Sequence, residues 1–343
     1  MTAAMGRSRI IAGALAIAVF VAAGIGYLGW RVATTQQASA QTGIQLDRPG
    51  TLLYVEPGTN RVRQIALAEA EGGVGAVSGG GGAGRAGAPA RASAPAAVGV
   101  GPVCQRVYVG GGTMACLRAT AVPMASEIDL INTGGKVVKT LQLWGNPSRV
   151  RVSPSGRLAA WTVFRSGDSY MMAGAFSTTA GIYDLKTGTH YGSLEDFTAS
   201  VDGRVYSSTD VNYWGVTFAS DDVTFYATMA SRGKTWLMRG NLQNRTLTAI
   251  RENVECPSLS PDGTRIAYKF RDGKTWRLHV LTLATQKDTA LAETSHVDDQ
   301  PAWVDGEVAY GKQDSGESGV FVVSADGSGQ PRKLVAGSSP AAW

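Results

Sequence analysis

Residues 255–270 read ECPSLSPDGTRIAYKF: a short apolar strand, a Ser-Pro-Asp-Gly turn, and a second apolar strand. Pro261 presets φ, Asp262 can bond the turn backbone, and Gly263 accepts dihedrals that other residues avoid, so these three are read as structural. Relatives of the stretch lie at 147–164 (PSRVRVSPSGRLAAWTVF), 213–228 (YWGVTFASDDVTFYAT) and 299–312 (DQPAWVDGEVAYGK). Val152, Phe218, Leu259 and Trp303 hold comparable positions, separated by 66, 41 and 44 residues. The long interval contains an extra stretch around 194–211, read as a loop. Each unit continues into a second hairpin with a polar turn: DLKTGTHYG, NLQNRTLT, LATQKDTA and SADGSGQPRK. About four strands per forty-odd residues is the signature of a propeller blade.

The chain ends on SSPAAW, which echoes the first strand of a blade (Gln300-Pro301-Ala302-Trp303) with no blade after it. TLLYVEPGTNRVRQIAL (51–67) supplies the missing strands from the other terminus. Such closure removes open sheet edges. The expectation is an all-β, six-bladed β-propeller of four-stranded blades, with five or seven blades as alternatives. The blades are placed at 339–343 with 50–70, 102–143, 147–193, 212–250, 255–291 and 298–336. The tetrapeptide GKTW at 233–236 and 273–276 is then the turn between second and third strands, with Trp packed toward a neighbouring blade. It is not a phosphate loop: the Gly required five positions earlier is Thr228 in one copy and Tyr268 in the other.

The segment PSLSPDGTRIAY (257–268) resembles the WD40-like (PD40) repeat of the TolB family at Pro257, Ser260, Pro261, Asp262, Gly263, Ile266, Ala267 and Tyr268. VSPSGRLAAW is a weaker copy with Ser155 in place of Asp, and the units at 213–228 and 299–312 are degenerate. The likeness covers about 147–343, plus the N-terminal hairpin by closure. It implies a six-bladed propeller outside the cytoplasm. The family's additional α/β domain is not expected here, so its partners are not carried over. The composition is similar to membrane-anchored members from high-GC Gram-positive bacteria.

Residues 10–30 (IIAGALAIAVFVAAGIGYLGW) carry no charge and are bounded by Arg9 and Arg31. As a helix they would span roughly 30 Å, the thickness of a bilayer core. The reading is a basic cytoplasmic tail (1–9), a transmembrane signal anchor (10–30), a juxtamembrane tether (31–49) and an exported propeller (50–343). Cleavage after Ala40 and a buried core helix are the alternatives. Residues 71–101, nearly all Gly, Ala, Pro, Ser and Val, are read as a flexible loop insertion. The formal charge of +5 includes Arg7 and Arg9, and the remaining mild excess has no basic clusters, which argues against nucleic acid. Cys104 and Cys116 flank a strand–turn–strand and are expected to form a disulfide; Cys256 is read as a buried thiol.

No Gly-x-Ser-x-Gly elbow occurs, and His190 and His279 are read as a turn residue and a packed strand residue. The segments before the innermost strands should ring one mouth of the channel. They contribute Asp210, Tyr213, Trp214, Glu255, His296, Asp298, Asp299 and Gln300 as candidate binding residues. Asp298 and Asp299 could hold calcium, with His296 beside them; the bland reading makes them solvated loop acids or strand caps, and Tyr213 and Trp214 inter-blade packing. The expected function is a monomeric, membrane-anchored binding or scaffold module for an envelope protein or peptide, without catalysis or cofactor. A divalent-cation-dependent propeller hydrolase or lyase is the alternative.

Overall fold

Three successive strands open the ring: β1 (Thr51–Val55), β2 (Arg61–Ala66) and β3 (Gly99–Val103). The computed structural model describes residues 21–24, 26–27, 43–67, 98–167 and 176–342. Blade two comprises β4 (Arg106–Gly110), β5 (Thr113–Ala119), β6 (Ala125–Ile131) and β7 (Val137–Trp144). Blade three comprises β8 (Asn146–Val152), β9 (Leu158–Ser166), β10 (Ser177–Asp184) and β11 (His190–Tyr191). After a short 3₁₀ turn come β12 (Thr198–Val201) and β13 (Arg204–Tyr206). Blade four follows as β14 (Asn212–Phe218), β15 (Thr224–Ser231), β16 (Lys234–Asn241) and β17 (Thr246–Glu252). Blade five is β18 (Glu255–Leu259), β19 (Arg265–Asp272), β20 (Thr275–Thr282) and β21 (Asp288–Ala290). Blade six is β22 (Ala302–Val304), β23 (Glu307–Asp314), β24 (Glu317–Ser324) and β25 (Arg332–Ala336). The last strand, β26 (Ser338–Ala342), pairs with β1 through Leu52–Ala342 and Leu53–Ala341, and becomes the innermost strand of blade one.

The innermost strands touch in the cycle β4, β8, β14, β18, β22, β26 and back to β4, so the six blades close a ring. Val152, Phe218, Leu259 and Trp303 lie on innermost strands, as the repeat requires. Each blade-to-blade junction has its own apolar core. The strand period of two builds these cores: on β19, Ala267 faces blade six, while Ile266 and Tyr268 face blade four. The Ser-Pro-Asp-Gly turn joins β18 to β19, with Asp262 accepting from Ser260 Oγ (2.5 Å) and Thr264 N (3.0 Å), and Gly263 at φ +70. The GKTW copies sit in the β15–β16 and β19–β20 hairpins. Their tryptophans, Trp236 and Trp276, are buried.

Three local expectations change. Gly99–Val103, placed at the end of the loop insertion and the start of blade two, is the outer strand of blade one and pairs with β2; residues 71–97 of that insertion lie outside the described residues. The stretch 194–211 is not only loop: β12 runs parallel to β17 and forms a hairpin with β13, extending blade four to six strands. Residues 43–47, assigned to the tether, pack on blade one, because the alternation Ile44-Gln45-Leu46 buries both apolar side chains. Gln45 and Gln64 bond there through backbone and side chain. Cys104 and Cys116 are disulfide-bonded. The residue facing Cys116 across the hairpin is Val107, however, so the bond ties the connector between blades one and two to β5.

Residues 1–41 form a separate unit, of which 21–24 and 26–27 are described, as exposed helix. The single-pass membrane placement is corrected here: among the described residues no helix is long and apolar enough to cross a membrane. A span needs about 20 continuous helical residues. The rest of 10–30, and Ala40, lie outside the described residues.

One buried carboxylate anchors the connector from blade five to blade six. Glu293 accepts from Lys312 Nζ (2.7 Å), the Tyr310 hydroxyl (2.5 Å) and Ser295 N (2.7 Å). Burial alone would raise its pKa, but Lys312, Ser295 and Tyr310 together bring it down to about 2. A depressed carboxylate adds stability above its unfolded value near 4.5, and that stability is lost as pH falls through about 2. Glu293→Gln should therefore cost about 3 kcal/mol at neutral pH and flatten the acid limb of stability against pH, read by urea unfolding between pH 5 and 2. An unchanged acid limb would refute the assignment.

Candidate functional site

Four residues ahead of β22 occupy the axis. Asp298 O accepts from Arg149 Nη2 of blade three (2.7 Å) and from Lys269 Nζ of blade five (2.8 Å). Asp299 accepts from Ser339 N of blade one (2.9 Å) and lies 3.6 Å from Arg106 of blade two. Gln300 Nε2 donates to Pro257 O of blade five (2.8 Å) and more distantly to Val216 O of blade four (3.4 Å). Pro301 O accepts from Arg151 Nη2 of blade three (2.9 Å). A single tetrapeptide of blade six is thus bonded to each of the other five blades. Beside it, along β4, β8 and β26, only about 20 Å³ of space remains, roughly room for one water.

Strong fields act on this hub. The Asp298 side chain is 56% exposed on the outer side of the hub, while Lys269 is fully buried. Burial among the surrounding atoms would raise the Asp298 carboxyl, but Lys269, Arg149 and Arg106 hold it well below the ordinary range. Arg151 is buried, its guanidinium 4.1 Å from the centre of the Tyr108 ring.

The eight residues expected at the mouth divide into four groups. Asp298, Asp299 and Gln300 belong to the hub. Glu255 and His296 meet through Trp276: Glu255 Oε1 accepts the indole N–H (2.9 Å) and Arg271 Nε (3.1 Å), while His296 Nδ1 accepts the Trp276 backbone N–H (3.2 Å). Burial lowers the His296 pKa, only partly offset by Asp298. Asp210 fixes the β15–β16 turn, accepting from Ser231 Oγ (2.5 Å) and Arg232 N (2.6 Å). Tyr213 and Trp214 are buried in inter-blade cores, Tyr213 between blades three and four and Trp214 against Phe164, Cys256 and Trp276. Asp210 and Trp214 also border one recess of about 560 Å³, together with Asn212, Arg232 and Arg271. His190 packs on Trp161, and His279 bonds Asp288 (2.8 Å).

Sequence reasoning missed the cations. Arg149 and Arg151 stand two apart on an innermost strand, a spacing that turns both side chains to one face. The spacing was visible in "PSRVRV"; that this face is the axis was not.

The opposite end of the channel is open. A cavity of about 340 Å³ is lined there by the C-terminal ends of all six innermost strands. Val109 comes from β4, Val152 from β8, Phe218 from β14, Leu259 from β18, Trp303 and Val304 from β22, and Ala342 from β26. The Ser-Pro-Asp-Gly turn rims it through Ser260, Pro261 and Gly263, and Arg151 lies at its floor between this cavity and the hub. A wide apolar funnel thus narrows onto one buried cation.

The TolB of Acinetobacter baumannii superposes on this chain with a TM-score of 0.57 and 16% identity, over 85% of this chain and 66% of that one. The fold is a TolB-like six-bladed propeller. This chain spans 66% of the length of that TolB, and at such identity the likeness shows the fold alone. A putative TolB from Agrobacterium tumefaciens matches at TM-score 0.45 and 12% identity, covering 68% of this chain and 82% of that one. A chain of a nidogen/laminin complex matches at 0.47 and 12%, covering 80% and 90%. No known family profile and no curated protein sequence matches.

If Asp299 serves the TolB-like ring as a structural acceptor, Asp299→Ala leaves the buried Ser339 N–H without its partner. It should cost roughly 1–3 kcal/mol in urea unfolding. A loss below about 0.5 kcal/mol would show that the carboxylate is dispensable to the hub.

Proposed function

We propose that this chain is a binding module whose ligand, a protein segment or small molecule, enters the axial funnel, and that it has no catalytic chemistry of its own. One observation carries this reading: the channel is closed at one end by a bonded hub and open at the other as an apolar funnel reached by all six blades. A concave, mostly apolar site with few polar groups is the usual form of a ligand pocket.

The alternative of a cation-dependent hydrolase fits the geometry less well. Asp298 already faces Lys269 and Arg149, and Asp299 accepts from two backbone amides, Gln300 N and Ser339 N. A calcium ion would have to displace cations and backbone donors together. The three histidines are likewise held by packing or hydrogen bonds.

Two measurements test the reading. A photo-crosslinking residue at Ser220 or Asp305, on the funnel rim, should give a discrete adduct in cells that a probe at Val138, on the exposed edge of blade two, does not give. Identical adduct patterns, or none at the rim, would count against the funnel. Calcium up to millimolar concentration should leave the thermal midpoint unchanged; a saturable rise would revive the cation-dependent alternative.

A further inference from the structure

Arg151 has a chemical peculiarity that the ring does not explain. Its side chain is buried, and its Nε–H has no acceptor. The acceptor it does have is a neutral carbonyl, Pro301 O at 2.9 Å. Among the described residues no carboxylate lies within ion-pair distance of it. Buried cations are ordinarily paired. Its neighbours in the channel show that pattern: Arg149 and Lys269 face Asp298, and Arg106 faces Asp299. Arg151 also borders the funnel, and the Tyr108 ring holds its guanidinium plane.

We propose that Arg151 is the counter-charge for a ligand carboxylate, and that the funnel takes an apolar or aromatic monocarboxylate, apolar end outward and acid end at the floor. This rests on the funnel being the binding site, and it names the class of ligand. An arginine fork matches a carboxylate geometrically, and a low-dielectric setting strengthens the pair. Phe218, Leu259 and Trp303 supply the apolar wall. Asp305, the acid on the rim, stands at the outer end, where it would disfavour a carboxylate bound the other way round. The volume of about 340 Å³ lies at the small end of ligand pockets and suits a compact body. Free small acids and the C-terminal residue of a polypeptide share this chemistry.

The test uses the full chain and two probe pairs: 4-phenylbutyrate with its primary amide, and N-acetyl-Gly-Phe with its C-terminal amide, titrated by ligand-observed NMR. Each acid should bind at least about tenfold more tightly than its amide. In Arg151→Met the acid should fall to the level of the amide, while Arg151→Lys keeps part of the preference. The acid–amide comparison on the unaltered protein needs no variant, so it stands even if Arg151→Met does not fold. Tighter binding of the peptide acid than of phenylbutyrate would assign a polypeptide terminus, and the reverse order a free acid. Acid and amide binding within about twofold would overturn the carboxylate while leaving the funnel as a site. A folded Arg151→Met that keeps the preference, or no saturation by either acid, would also overturn it. Failure of the funnel itself would appear separately, as loss of the rim-specific adduct.

Discussion

Asp298 to Pro301 are the constraint on which the ring turns. A propeller brings six strands to one axis, and every backbone or side-chain polar group that faces it must find a partner in little space. Here one tetrapeptide meets most of that requirement by bonding all five other blades. The cost is visible in blade six. Its innermost strand is three residues long, against seven in blades three and four, because the residues that would begin it are drawn into the hub.

The same logic explains the irregularities of the other innermost strands. Register slips occur within β14, β18 and β26, with positive φ at Gly215, Cys256 and Ser339. Each bulge leaves an amide to be satisfied by the blade before it. Thr162 Oγ1 accepts from Gly215 N at a long 3.4 Å, and Thr228 Oγ1 from Cys256 N at 2.9 Å. For Ser339 N the acceptor is Asp299 Oδ2, and Gly311 makes room for it: a Cβ there would lie 2.6 Å from that oxygen. At the second-strand position opposite Glu255, where the repeat would offer another threonine, stands Lys269, which donates to Asp298 O instead. Lys269, Asp299 and Gly311 together are the local departure from the repeat that makes a hub.

How far this was legible follows from what each signal depends on. The Ser-Pro-Asp-Gly turn and the two-residue alternation are local, and they placed the innermost strands at Val152, Phe218, Leu259 and Trp303. The terminal echo at 340–343 was sufficient for ring closure. The parallel hairpin beside β17 and the outer strand at Gly99–Val103 depend on pairing partners distant in sequence, and neither carries a strong apolar pattern. For the candidate site the limit is a different one. Segments preceding innermost strands do reach one end of the channel, but whether that end is open depends on Arg149, Arg151 and Lys269. Each of these cations reads, in isolation, as an ordinary strand residue.

That end-to-end difference bears on where recognition can reside. At the hub, one side chain serves several blades, so exchanging it disturbs the ring. At the funnel the turns are self-contained. Asp262 is bonded by Ser260 and Thr264 of its own turn and is held down to about 2 by them; Asp221 of blade four likewise accepts from Val223 and Thr224. The side chains that these turns present to the cavity, such as Ser220 and Pro261, can therefore change without releasing a backbone bond. Arg151 belongs to both regions, bonded to the hub through Pro301 and bordering the cavity floor. A ligand that reached it would touch a group directly bonded to the structure that holds the blades together.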